Sequence, residues 1–114
     1  MFEFTPNVNK ESMERACAEY QNQQLVADNE ICRAWTLDVM FTNNPHEVHI
    51  TRYYNGDYRY FVKEGYFICR FDNEQIIITE GKYLGRACKA ASTLKKFTQT
   101  ALRLYSLYKC GYLE

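Results

Sequence analysis

Ile50-Thr51-Arg52-Tyr53-Tyr54-Asn55-Gly56-Asp57-Tyr58-Arg59-Tyr60-Phe61 is the stretch on which the reading of this chain turns. Aromatic and β-branched residues flank Asn55-Gly56, the signature of a type I′ turn, in which both central residues take positive φ. A two-residue loop there sets Tyr53 opposite Tyr58, Arg52 opposite Arg59, Thr51 opposite Tyr60 and Ile50 opposite Phe61. A next tight turn at Glu64-Gly65 brings Val62 against Phe67 and Arg59 against Arg70. A third, near Asn73-Glu74, brings Phe71 against Ile76 and Cys69 against Ile78. The three registers agree on one core face of Thr51, Tyr53, Tyr58, Tyr60, Val62, Phe67, Cys69, Phe71, Ile76 and Ile78. The other face holds Val48, Ile50, Phe61, Ile68 and Ile77 beside a lateral row of Arg52, Arg59 and Arg70. A slip of one residue in any hairpin would flip these assignments.

Upstream, Trp35, Leu37, Val39 and Phe41 alternate with Ala34, Thr36, Asp38 and Met40, which reads as a strand ended by Asn43-Asn44-Pro45. Before it, Met13, Ala16 with Cys17, Tyr20 and Leu25 recur roughly at helical spacing, predicting a helix from about Asn9 to Ala27. Asn9 suits the N-cap, and Glu11 and Glu14 complement the helix dipole. A second long helix is expected from about Arg86 to Lys109, closed by Gly111, with Ala87, Ala90, Ala91, Leu94, Phe97, Ala101, Leu104, Tyr105 and Tyr108 as its apolar stripe. The expected fold is α+β: an N-terminal helix, a five-stranded antiparallel meander and a long C-terminal helix packed on the sheet, in one domain over residues 1–114.

The composition fits that expectation. The chain has 114 residues, 46% hydrophobic and 25% charged, which argues against disorder, and 16% aromatic residues provide bulky core material. No apolar run reaches the roughly 18 residues of a membrane span, and Met1-Phe2-Glu3-Phe4 lacks a signal peptide's basic start, so a cytoplasmic protein is expected.

Chemistry-bearing motifs are few. Cys17, Cys32, Cys69, Cys88 and Cys110 contain no C-x-x-C pair, and their plainest reading is free thiols acting as small buried hydrophobes. His46 and His49 are the two histidines, with Glu47 as the one local companion for a metal. The five glycines sit singly, so no phosphate loop is present. No catalytic residue, metal or cofactor is expected.

Charge is more informative. Fourteen basic residues balance fourteen acidic ones, but residues 1–30 carry two basic and six acidic groups, while residues 81–114 carry seven basic groups against Glu114 alone. The gradient fits a surface for nucleic acid or an acidic partner, or two chain ends that neutralise each other. Directly opposed like charges destabilise a sheet by a few tenths of a kcal/mol or more, so an arginine row is easier to accept if an anion or an acidic partner neutralises it. Internal neutralisation by the acidic first helix or by Asp57 is the alternative.

The α–β–β–β–α order with a basic final helix is similar to that of double-stranded-RNA-binding domains, and Lys82-Tyr-Leu-Gly-Arg-Ala-Cys-Lys-Ala-Ala91 resembles their basic, Ala-rich second-helix start. The chain departs from that family in lacking its tight lysine cluster and in having two further strands. In length, Tyr-rich character and lack of catalytic motif it also looks like small phage-encoded host-takeover proteins, anti-CRISPR inhibitors among them.

The leading expectation is a non-enzymatic binding module that occludes a macromolecular partner. Its candidate contact residues are Arg52, Arg59, Arg70, Tyr54 and Phe61 on the sheet side, with Lys89, Lys95, Lys96 and Arg103 on the basic helix. Neutral overall charge favours a protein or nucleoprotein partner, bound by a monomer or homodimer, over bare nucleic acid. The alternatives are a nucleic-acid-binding domain and a small Cys/His enzyme.

Overall fold

The computed structural model describes residues 1–40, 44–84 and 94–114. Its strands are β1 (Phe2–Phe4), β2 (Tyr20–Asp28), β3 (Cys32–Val39), β4 (His46–Tyr53), β5 (Asp57–Val62), β6 (Gly65–Asp72) and β7 (Gln75–Tyr83). Helix α1 (Lys10–Ala18) follows β1, and helix α2 (Thr98–Lys109) follows β7. The strands form one antiparallel sheet in the order β1-β7-β6-β5-β4-β3-β2. From β2 to β7 it is an unbroken meander, and β1 closes the far edge against β7. The α+β class holds, with seven strands rather than five and a strand ahead of the first helix.

Both additional strands have physical reasons. In β1, Phe2 and Phe4 pair with Ile78 and Ile76 and pack against the core, a three-residue alternation too short to stand out in sequence. The expected helix to Ala27 stops at Ala18. Asn9 caps α1 as expected, its side chain accepting from the Ser12 backbone N–H at 2.8 Å. Beyond Ala18 the chain turns to pair Tyr20 with Val39, and Asn22 sits at φ +57, left-handed backbone that no right-handed helix contains. Irregularities between Gln21 and Gln24 and between Leu25 and Ala27 break the alternation that would have revealed β2.

The β4–β5 hairpin corrects the central register. Arg52 pairs with Tyr58, Thr51 with Arg59 and Ile50 with Tyr60, one residue away from the expected pairing. The Gly56 N–H donates to the Tyr53 carbonyl at 3.0 Å, and Gly56 alone in this loop has positive φ, at +102°. This is a three-residue loop, a type I turn followed by a left-handed residue. It moves Val48 and Ile50 into the core and Thr51 and Tyr53 out of it. The next loop is Lys63-Glu64, with Val62 opposite Gly65; the shift of two keeps every face as expected. The third hairpin has the expected register, and the type I′ turn lies here, with Asn73 at φ +50° and Glu74 at +62°.

Both helices cover one side of the sheet. There, Trp35, Leu37, Val48, Ile50, Phe67, Cys69, Ile76 and Ile78 pack with Leu94, Phe97, Ala101, Leu104 and Leu107. The C-terminus of α2 closes as the sequence implies: Gly111 at φ +81° lets the Tyr112 N–H reach the Leu107 carbonyl and its own N–H reach that of Tyr108. The expected beginning of that helix, from Arg86 to Thr93, lies outside the described residues, as do Phe41, Cys88 and Lys89. No described helix is long and apolar enough to cross a membrane.

Candidate functional site: the open face of the sheet

The helices cover one face, and the other presents half-exposed side chains along β3 to β7. The alternation of each strand decides what stands on it. Arg59, Phe61, Ile68, Arg70 and Ile77 are there, as expected, and Tyr66 joins them; Arg52 is not. The expected row of three arginines therefore does not exist, because the one-residue difference in the β4–β5 loop rotates Arg52 to the helix-covered side.

The three arginines have three different environments. Arg52 donates from Nη1 to the Leu113 carbonyl at 3.1 Å, tying the sheet to the C-terminal segment. Arg70 stands directly opposite Asp57 and donates from Nε and Nη2 to its Oδ1 at 3.0 and 2.8 Å, so it is neutralised in place. Arg59 lies with its guanidinium 5.0 Å from the Phe61 ring and 5.4 Å from the Tyr66 ring. Those rings are nearly parallel, their centroids 6.5 Å apart. The Tyr66 hydroxyl donates to Glu80 at 2.8 Å, and this hydrogen bond pushes its pKa up, keeping it protonated. Among the described residues Arg59 has aromatic partners and no hydrogen-bond acceptor or carboxylate.

Beside Arg59 lies a hollow of about 300 Å³, lined in part by Val26, Ala34, His49, Thr51 and Phe61. The His49 ring meets Phe61 edge-on at 6.1 Å, and its Nε2 is 3.5 Å from Glu47. His49 and Thr51 were not among the expected site residues; a three-residue reading of the loop would have placed them on this face. His46 and His49 stand on opposite faces of β4 and cannot share a metal ion.

The remaining candidates lie apart. Tyr54 is 53% exposed in the hairpin loop, at the end of the sheet, where its hydroxyl donates to Asp28 at 3.3 Å. Arg103 donates to Glu19 at 3.1 Å, joining α2 to the end of α1 and neutralising part of the charge gradient internally. Lys95 and Lys96 are exposed, and Lys89 is outside the described residues. The open face is acidic: Glu3, Asp38, Glu47, Asp57, Asp72 and Glu80 stand on it against Arg59, Arg70 and Lys82.

Burial works against the two core thiols as nucleophiles, pushing Cys17 up to about 12 and raising Cys69 as well. The observed β–α–β₆–α order also departs from the α–β–β–β–α order that resembled double-stranded-RNA-binding domains. No protein-family model matches the chain, and no curated protein or solved structure matches it either.

Proposed function

We propose that this protein is a non-enzymatic binding module that occludes a protein partner, with Arg59 receiving a carboxylate of that partner on the open sheet face. The observation that carries the reading is the guanidinium itself, oriented by two rings, lacking an acceptor among the described residues and set at the rim of a hollow. Arginine suits this role because its planar fork bonds a carboxylate in bidentate fashion and stacks on aromatic rings. The acidic surround favours protein over nucleic acid, since a phosphate backbone would be repelled by most of the face. The complementary surface carries one acidic side chain at its centre and neutral or basic residues around it. Occlusion of this kind is how small inhibitors encoded by phages and mobile elements act, anti-CRISPR proteins among them, and we assign the chain to that class.

The test is retention of a partner from a nuclease-treated host lysate on wild-type protein and on Arg59→Ala, side by side. The variant is expected to weaken binding by about 1–3 kcal/mol, the range for a charge-assisted hydrogen bond. Its denaturant midpoint should change little, as only a cation–π contact of about 0.5–1 kcal/mol is lost. Undiminished retention by Arg59→Ala overturns the site. A partner lost on nuclease treatment moves the reading to nucleic acid, for which the exposed Lys95 and Lys96 are the available contacts.

A further inference from the structure

The buried side of α1 and the end of α2 bring two thiols together. Cys17, 3% exposed, directs its Sγ to the Ser106 carbonyl oxygen at 3.4 Å. The backbone N–H of Cys110 donates to that same oxygen at 2.9 Å, as the capping bond of α2. Both residues thus converge on one carbonyl oxygen, and burial together with the neighbouring Cys110 pushes the Cys17 thiol up. Cys110 is exposed and Cys17 is not. A small reagent therefore meets an accessible thiol with a second, sheltered one behind it. Cys69 lies in the core under α2, and Cys32 is across the sheet in the row facing away from the helices.

We propose that Cys17 and Cys110 form a modification site for low-molecular-weight disulfides, closing an intramolecular disulfide that fastens the end of α2 to α1. With oxidised glutathione, the Cys110 thiolate attacks one glutathione sulfur, releases the first glutathione as thiolate and leaves a mixed disulfide. Cys17 then loses its proton to solvent, and its sulfur attacks Cys110 Sγ, forming the Cys17–Cys110 bond and releasing the second glutathione. Two protein thiols are oxidised, and one oxidised glutathione is reduced to two thiols. Burial keeps Cys17 protonated at neutral pH, so the closing step is the slow one and quickens as pH rises. The bridge would join residues 93 positions apart in the chain, so the long loop it closes strongly restricts the unfolded chain.

The experiment treats the reduced full-length protein with excess oxidised glutathione at pH 7 and pH 8.5, quenches with acid and weighs the intact protein. Digestion after Lys, Arg and Glu then separates Cys17 from Cys32. The expected product has lost two hydrogens, joins the Cys17 and Cys110 peptides, forms faster at the higher pH and melts on the order of 10 °C above the reduced protein. Cys17→Ser should stop at a persistent glutathione adduct on Cys110, and Cys110→Ser should give no bridge. Cys17→Ala serves as a second variant if the serine disturbs the core. A stable glutathione adduct on the wild type, or a bridge through Cys32, Cys69 or Cys88, overturns the proposal.

Discussion

Two buried hydroxyls, Tyr20 on the edge strand β2 and Tyr60 on the central strand β5, share a hydrogen bond of 2.8 Å. Neither is replaceable alone. Tyr60→Phe leaves the Tyr20 hydroxyl without that partner and should cost about 1–3 kcal/mol, whereas the double change to Phe should be close to neutral. A double-mutant cycle on denaturant midpoints measures the difference. Burial also pushes the Tyr20 pKa from 10.0 up to about 12 and raises that of Tyr60. Because the folded-state pKa values exceed the unfolded ones, this stability is fully present below about pH 10 and is lost as pH climbs towards and through 12. The buried thiols start the decline earlier, from their ordinary value of 9.0. Denaturant midpoints between pH 7 and 11 should stay level and then fall, and the double Phe variant should flatten the steeper part. Gly65 makes a different demand. Added there, a Cβ would collide with the Lys82 carbonyl oxygen on the neighbouring strand, so Gly65→Ala should destabilise by about 1–3 kcal/mol; an unchanged midpoint would mean that β7 can yield.

At the scale of elements, the hairpins show what local sequence can specify. Asn73-Glu74 pairs its strands as read from sequence, although Glu74 is a poor candidate for positive φ, because one register buries Cys69, Ile76 and Ile78 and packs Phe71 against them. Asn55-Gly56, the stronger turn signal, misleads because it serves either a two-residue loop or a three-residue one. The choice is made further off, where Trp35 and Leu37 on β3 require Ile50 and Val48 beside them in the core. The faces of β5, β6 and β7 were legible, and with them the positions of Arg59, Phe61 and Arg70. The face of β4 was not, and it took Arg52 out of the candidate site and put His49 and Thr51 into it. Strand β2 was hidden by its own irregularities, and β1 by its length.

Across the whole molecule, the two helices and the sheet share a single buried cluster. Phe97 is central to it, stacked on Tyr83 at 4.7 Å and packed against Phe67 at 5.2 Å, and its ring fills the space above Gly81. Leu94→Ala and Phe97→Ala should each cost about 2–5 kcal/mol, read as a fall in denaturant midpoint at constant slope. Unchanged midpoints in both would turn that stripe from core into an exposed surface. The acidic start and basic end of the sequence are partly reconciled by Glu19 and Arg103, while the open face keeps an acidic excess around Arg59. Charge that looked like one gradient along the chain is thus divided between an internal tie and a surface.

The placement of β1 has a kinetic consequence. Every other strand pairing joins sequence neighbours, so each hairpin closes a short loop at small entropic cost, whereas Phe2 must find Ile78 across most of the chain. The meander is therefore expected to assemble first and β1 to dock after the rate-limiting barrier. Phe4→Ala should then accelerate unfolding while leaving the refolding rate nearly unchanged, visible in a chevron as a raised unfolding limb alone. A slowed refolding limb would place the N-terminus inside the folding nucleus. If β1 docks late, the first event in opening the native protein is release of its N-terminal strand, which bares the β7 edge while the Arg59 face stays intact.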